Sequence, residues 1–120
     1  MGNVGGGGYT YGSNTFESLL AKLSIKYKAN ENGKFGAKGK GRVRVLETAN
    51  PANAALDFFR TFSAAGSVSE LDSGNGYKIT FPNSKALIIY RASSKSGGPV
   101  IEISTNNMLD QKIHFVPRKN

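Results

Sequence analysis

The apolar residues in the first half of the chain recur with the period of an α-helix. In residues 14–23 they stand three or four positions apart, which predicts a short amphipathic helix. Ser13 or Asn14 is available as its N-cap. The residues expected on its buried face are Phe16, Leu19, Leu20 and Leu23.

A second helix is predicted to begin at Asn50-Pro51, since Asn is a favoured N-cap and Pro is tolerated at the first helical position. It should run to about Ala65 and stop at Gly66. Its apolar face is expected to carry Ala55, Leu56, Phe59 and Phe62.

After Gly66 the pattern changes from helical to alternating, which predicts strands. The four predicted strands are 77–81, 86–91, 99–104 and 112–116. A turn at 82–84 joins the first two, so an antiparallel meander is the simplest topology. Residues 42–46 also alternate and form either a strand or the entry to the core. The predicted fold is α+β, with N-terminal helices packed on a four- to five-stranded antiparallel sheet.

Residues 1–13 are rich in glycine and lack apolar periodicity, so they are predicted to form a flexible leader. A phosphate-binding loop is disfavoured there, because no strand precedes the glycines. Residues 14–120 are the length of one domain and are interpreted as one.

Basic residues outnumber acidic ones by sixteen to eight, which gives a formal net charge of +8. Folding does not require this excess, and its usual purpose is attraction to a polyanion; a solubilising surface is the alternative. The charge is dense in residues 26–44, where glycines disfavour a helix. Lys38, Lys40 and Arg42 of this segment either follow a phosphate backbone or belong to a solvated loop.

The chain has no cysteine, which excludes disulfides, thiolate metal sites and a thiol nucleophile. With one histidine, a metal site would need several carboxylates, so neither a metal nor another cofactor is expected. No stretch has the roughly 18 apolar residues of a membrane span, so no membrane anchor is expected.

Alternation sorts the strand side chains onto two faces of the sheet. If the apolar set faces the helices, a polar set shares the other face: Lys78, Thr80, Glu102, Ser104, Lys112 and His114. Arg91 ends its strand and leads into the polar loop 93–98, which contains Ser94 and Lys95 and can lie over that face.

This polar set matches the needs of RNA cleavage without a metal. A base takes the proton of the ribose 2′-OH, an acid protonates the 5′-oxygen, and cations stabilise the charge that develops. His114 suits the acid or the base role. Glu102 is a second proton carrier, a group that orients the histidine, or merely half of an ion pair. Arg91, Lys78 and Lys112 are candidates to hold the phosphate, with Thr80 and the serines donating hydrogen bonds.

Four segments carry a resemblance to a known family. They are GRVRV at 41–45, AALDFF at 54–59, IYRASSKSGGP at 89–99 and KIHFVP at 112–117. Together they resemble the C-terminal toxin domains of bacterial contact-dependent inhibition and related polymorphic secreted toxins. Many such domains belong to the barnase/EndoU/colicin/RelE-like nucleases, and the order of helices and strands agrees with that fold.

The resemblance implies an antibacterial ribonuclease, often one that cuts tRNA, carried into a target cell's cytoplasm by a large exported protein. It implies an immunity protein, expected to be acidic, that blocks the active site. Some relatives also use elongation factor Tu to present tRNA. Carried over to this chain, the pattern indicates Arg91, Ser94 and His114, then Thr80; a Glu–His pair of the barnase kind would require Glu102.

Two other functions are compatible with the sequence. A non-catalytic RNA-binding module would use the same basic face, with Lys78, Lys95 and Lys112 as contacts to phosphate. A DNase ranks last, because one histidine and few acids make a metal-bound nuclease site hard to assemble, and DNA lacks the attacking 2′-hydroxyl.

Overall fold

The structure is a computed structural model that describes residues 15–82, 84–95, 97–105 and 109–119. Two helices and seven strands lie in this part of the chain. The helices are α1 (Phe16–Lys26) and α2 (Pro51–Ser63). The strands are β1 (Ala37–Lys38), β2 (Val43–Thr48), β3 (Ser67–Glu70), β4 (Gly76–Thr80), β5 (Leu87–Arg91), β6 (Val100–Ser104) and β7 (Gln111–Pro117). The predicted leader, residues 1–13, lies outside the described residues.

All seven strands form one sheet in the order β1-β2-β7-β6-β5-β4-β3. The predicted α+β class and the antiparallel meander from β4 to β7 are confirmed. The predicted count of four to five strands is wrong. It missed β1, which has two residues, and β3, whose residues are all exposed and carry little apolar signal. The strand β2 joins the meander through a parallel pairing with β7.

Helix α1 begins at Phe16, two residues after the earliest start that the predicted caps allow. The N-cap is Thr15 rather than Ser13 or Asn14. The Thr15 hydroxyl accepts the N–H of Ser18, and the Ser18 hydroxyl accepts the N–H of Thr15. The predicted apolar face is buried as expected. Phe16 anchors it by stacking on Phe62 of α2, with ring centroids 5.5 Å apart.

Helix α2 starts as predicted, with Asn50 as N-cap and Pro51 in the first turn. It ends at Ser63, two residues before the predicted end, and the buried face is centred on Phe58 rather than Phe59. Phe58 is fully buried between the rings of Phe35 and Phe115. Neither helix of the described chain is long and apolar enough to cross a membrane.

The basic segment between α1 and β2 is held to the body of the protein rather than being an open loop. Phe35 is fully buried, and its N–H donates to the Gln111 side chain at 3.0 Å. The guanidinium of Arg44 donates to the carbonyls of Phe35 and Gly36 at 2.9 and 2.7 Å. Arg44 therefore connects β2 to this segment, and its guanidinium group is engaged by backbone carbonyls of the protein itself.

Candidate active site

The helices cover one face of the sheet, and the other face, called the open face below, carries polar side chains. Five isoleucines of the central strands are fully buried on the side of α2: Ile79, Ile88, Ile101, Ile103 and Ile113. The residues between them alternate to the opposite side, as the sequence predicted. This alternation places His114, Lys112, Glu102, Lys78 and Thr80 on the same face of one sheet.

A cleft of about 540 Å³ opens on this face where β5, β6 and β7 run side by side. It contains five of the charged or titratable residues that the sequence singled out. Its lining residues are Arg91, Ser94, Lys95, Val100, Glu102, Lys112 and His114. Three of them are cationic and one is a carboxylate, so we call it the cationic cleft.

Val100 is the centre of the cleft floor and is fully buried. Arg91 lies opposite it on β5, and His114 lies opposite it on β7. Glu102 is two residues further along β6, opposite Lys112. Diagonal neighbours on paired strands have Cα atoms about 7–8 Å apart, so Glu102 lies diagonally beside both Arg91 and His114. The register thus gathers an imidazole, a carboxylate and cations around one apolar side chain.

Glu102 bridges two guanidinium groups. One of its oxygens lies 3.4 Å from Arg42 and the other 3.6 Å from Arg91. The Glu102 side chain is only 18% exposed, whereas those of Arg42 and Arg91 are 54% and 36% exposed. The carboxylate therefore holds Arg91 at the wall of the cleft and Arg42 beside it, and both guanidinium groups stay partly accessible to solvent.

His114 is half-buried, and its surroundings disfavour the charged imidazolium. Burial lowers the pKa of His114, and the nearby Lys112 ammonium lowers it further. The lowered pKa favours the neutral form of His114 in the protein without substrate. A neutral imidazole in a cationic cleft is a proton acceptor.

Ser94 and Lys95 reach the cleft from the segment between β5 and β6, called the cover loop (residues 92–95 and 97–99). The Ser94 hydroxyl donates to the carbonyl of Gly98 at 2.9 Å, and the N–H of Gly97 donates to the carbonyl of Ser94 at 2.8 Å. Gly97 has a φ of 109°, a conformation that side chains disfavour. This local bonding gives the serine-rich segment a defined turn beside the cleft.

Asn75, which the sequence did not indicate, anchors the start of the cover loop. Its side-chain amide donates to the carbonyl of Ser93 at 2.9 Å, and its backbone carbonyl accepts the N–H of Ala92 at 3.0 Å. Asn75 lies in the turn before β4, remote in sequence from the loop. A single asparagine in a Gly- and Ser-rich turn carries no signal for such a long-range contact.

Three predicted residues of the open face lie apart from the cleft: Lys78, Thr80 and Ser104, the last of which lies opposite Leu87. Gly76 of β4 is the residue opposite Arg91, whereas Thr80 lies four residues further along, opposite Leu87. At about 3.3 Å per residue, this is about 13 Å along the strand. Lys78 lies midway between and is exposed. The structure therefore does not bring Thr80 together with His114.

The remaining predicted RNA contacts lie beyond β2, near the sheet edge. Lys38 is in β1, exposed, and its ammonium lies 3.4 Å from the carbonyl of Gly41. Lys40 is exposed in the turn that follows. Of these three residues, Arg42 contacts a residue of the cleft, through its ion pair with Glu102.

The described residues contain no group of three or more His, Cys, Asp or Glu side chains placed to share a metal ion. Comparison of the chain with protein-family models, with curated proteins and with solved structures finds no match.

Proposed function

We propose that this protein is a metal-independent ribonuclease that cleaves RNA in the cationic cleft by attack of a ribose 2′-OH on the adjacent phosphorus. The observation that carries the proposal is His114, an imidazole with a lowered pKa that shares a cleft with Arg91, Lys95 and Lys112. A proton acceptor surrounded by cations is the combination that this reaction needs.

In the proposed reaction His114 accepts the proton of the 2′-OH while the 2′-oxygen bonds to phosphorus. Arg91 and Lys112 stabilise the negative charge on the phosphorane oxygens. The bond from phosphorus to the 5′-oxygen then breaks, and the imidazolium of His114 supplies the proton that the leaving oxygen needs. The products are a 2′,3′-cyclic phosphate and a free 5′-hydroxyl.

Glu102 acts in this proposal as a positioning residue. Its contacts with Arg42 and Arg91 fix two guanidinium groups beside the place that the phosphate would occupy. Because long side chains lose rotamer freedom on binding, arginines held in advance bind a phosphate at a lower entropic cost. A carboxylate in this cleft would by itself repel a phosphate, and the positioning role explains why Glu102 is there.

The biological setting of the proposal follows from the resemblance described above. We propose that the domain is an antibacterial toxin that enters target cells as part of a large exported carrier, with tRNA as its substrate. An acidic immunity protein would cover the cationic cleft, and elongation factor Tu is a candidate to present the tRNA.

The test is incubation of the purified protein with total tRNA in EDTA, with and without translation factors, and mapping of the cut ends. The wild type is expected to produce discrete fragments. His114→Gln should slow cleavage by roughly 10²–10⁴-fold, the usual contribution of a general acid or base. Lys112→Ala should slow it less, because Arg91 still contacts the phosphate.

Lys22→Ala is the matched control, because it removes the same charge from an exposed position on α1. It should cleave as the wild type does. Intact tRNA under every condition would contradict the proposal. Salt-dependent binding of tRNA without cleavage, equal in the wild type and His114→Gln, would instead support an RNA-binding module.

A further inference from the structure

A second groove, apolar in character, adjoins the cationic cleft on the other side of His114. It has a volume of about 400 Å³. Its side-chain walls are formed by Val43 and Val45 of β2 with Val116 and Pro117 of β7. We call these four residues the valine groove. His114 lines both the valine groove and the cationic cleft.

The parallel pairing of β2 with β7 builds this groove. Val45 lies directly opposite His114, Val43 opposite Lys112, and Val116 follows His114 by two residues on the same face. The three valines are half-buried, so each exposes part of its side chain to the groove. Among the described residues that line the groove, His114 is the one ionisable group. The imidazole therefore separates a charged compartment from an apolar one.

We propose that the valine groove is a nucleoside subsite, which holds the base of a nucleotide whose phosphate occupies the cationic cleft. This inference rests on the proposed ribonuclease function and extends it to substrate binding. RNA alternates charged phosphates with bases whose faces are apolar, and adjacent cationic and apolar compartments match that alternation. With the phosphate on one side of His114 and the base on the other, the ribose lies next to the imidazole.

The chemistry of the groove also indicates how selective this subsite is. Valine and proline side chains offer no hydrogen-bond donor or acceptor, so they contact a base by its shape rather than by its polar edge. Apolar pockets discriminate between similar ligands by only about 10–200-fold per methylene-sized difference. The subsite therefore contributes to affinity and orientation, with a modest preference among the four bases.

The first test is an NMR titration of the wild-type protein with adenosine and, separately, with inorganic phosphate, followed at the valine methyl groups. Adenosine is expected to shift Val43, Val45 and Val116 but not Val68, which is exposed on β3 at the opposite edge of the sheet. Phosphate should instead perturb the groups of the cationic cleft. Unmoved groove valines at saturating adenosine would overturn the inference, whether or not the protein cleaves RNA.

The second test measures cleavage of dinucleotides by Val45→Thr and Val116→Thr. Threonine keeps the β-branched shape and replaces one methyl with a hydroxyl, so kcat/KM is expected to fall by about three- to tenfold, chiefly through KM. Val68→Thr is the matched control and should behave as the wild type. Unchanged KM and base preference in both groove variants, alongside normal cleavage, would overturn the subsite while leaving the ribonuclease proposal intact.

Discussion

Replacing Glu102 with glutamine tests the positioning role of this residue, because it removes the charge and keeps the size. The ion pairs with Arg42 and Arg91 have separations of 3.4 and 3.6 Å. At such distances the Coulomb attraction in water is about 1 kcal/mol per pair. Partly exposed pairs measure about 0.2–1 kcal/mol each, so the two together contribute about 0.5–2 kcal/mol. Glu102→Gln also leaves Lys112 and both arginines without the carboxylate between them.

The assay is thermal unfolding at low and at high salt. For a domain of roughly 100 residues, 1 kcal/mol shifts Tm by about 4–8 °C, so we expect Tm to fall by about 2–16 °C in dilute buffer. At about 1 M salt the Debye length is only about 3 Å, and the difference should shrink. Glu70→Gln, at an exposed position on β3, makes the same change in net charge and should have little effect. A Glu102→Gln protein as stable as the wild type in dilute buffer would refute the ion-pair account.

The same variant separates positioning from proton transfer. If Glu102 only holds the arginines, Glu102→Gln should lower kcat/KM for RNA by about tenfold, equivalent to about 1.4 kcal/mol. A loss of roughly 10²–10⁴-fold would show that the carboxyl group itself carries a proton. The pH dependence of cleavage adds a check. If Glu102 is a positioning residue, the cleavage rate of Glu102→Gln should depend on pH through His114 as it does in the wild type.

Three further predictions concern His114, Asn75 and Gly76. The pKa of His114 is lowered in the folded protein, so the unfolded chain binds the proton more readily. The contribution of His114 to stability should therefore be fully present above about pH 6.5 and be lost as the pH falls below it. Urea unfolding should show a free energy of unfolding that depends less on pH in His114→Gln than in the wild type. Asn75→Ala removes two side-chain hydrogen bonds with Ser93 and should cost about 1 kcal/mol. Hydrogen exchange at the cover loop should rise, whereas Asn53→Ala on α2 should leave it unchanged. Gly76→Ala would place a Cβ against the Tyr90 carbonyl, so a loss of about 2 kcal/mol or more is expected in thermal unfolding. A Gly76→Ala protein of wild-type stability would contradict that packing.

The sequence predicted most of the regular structure because side-chain periodicity is a local signal. The alternation in 77–81 and 112–116 correctly separated the buried residues from Lys78 and His114. Periodicity contains no information about strand order, however. The parallel pairing that sets Val45 against His114 joins segments about seventy residues apart, and it was not predicted.

The candidate site was predicted in part, because alternation shows which residues share a face but not which strands are neighbours. Glu102, Lys112 and His114 share a face by alternation alone. Whether Thr80 lies near them depends on the register of β4 and β5. That register sets Gly76 opposite Arg91 and places Thr80 about 13 Å further along β4. The ion pair from Arg42 and the anchor at Asn75 are contacts between distant segments, and only the folded chain reveals them.

The most direct test of the central claim is cleavage, in EDTA, of an RNA that carries a single 2′-deoxyribose at the mapped cut site. The account predicts that wild-type protein cuts the all-ribose RNA to leave a 2′,3′-cyclic phosphate and that the one 2′-deoxy substitution blocks cleavage at that position. Equal cleavage of both substrates, or cleavage only after a divalent metal is added, would contradict it.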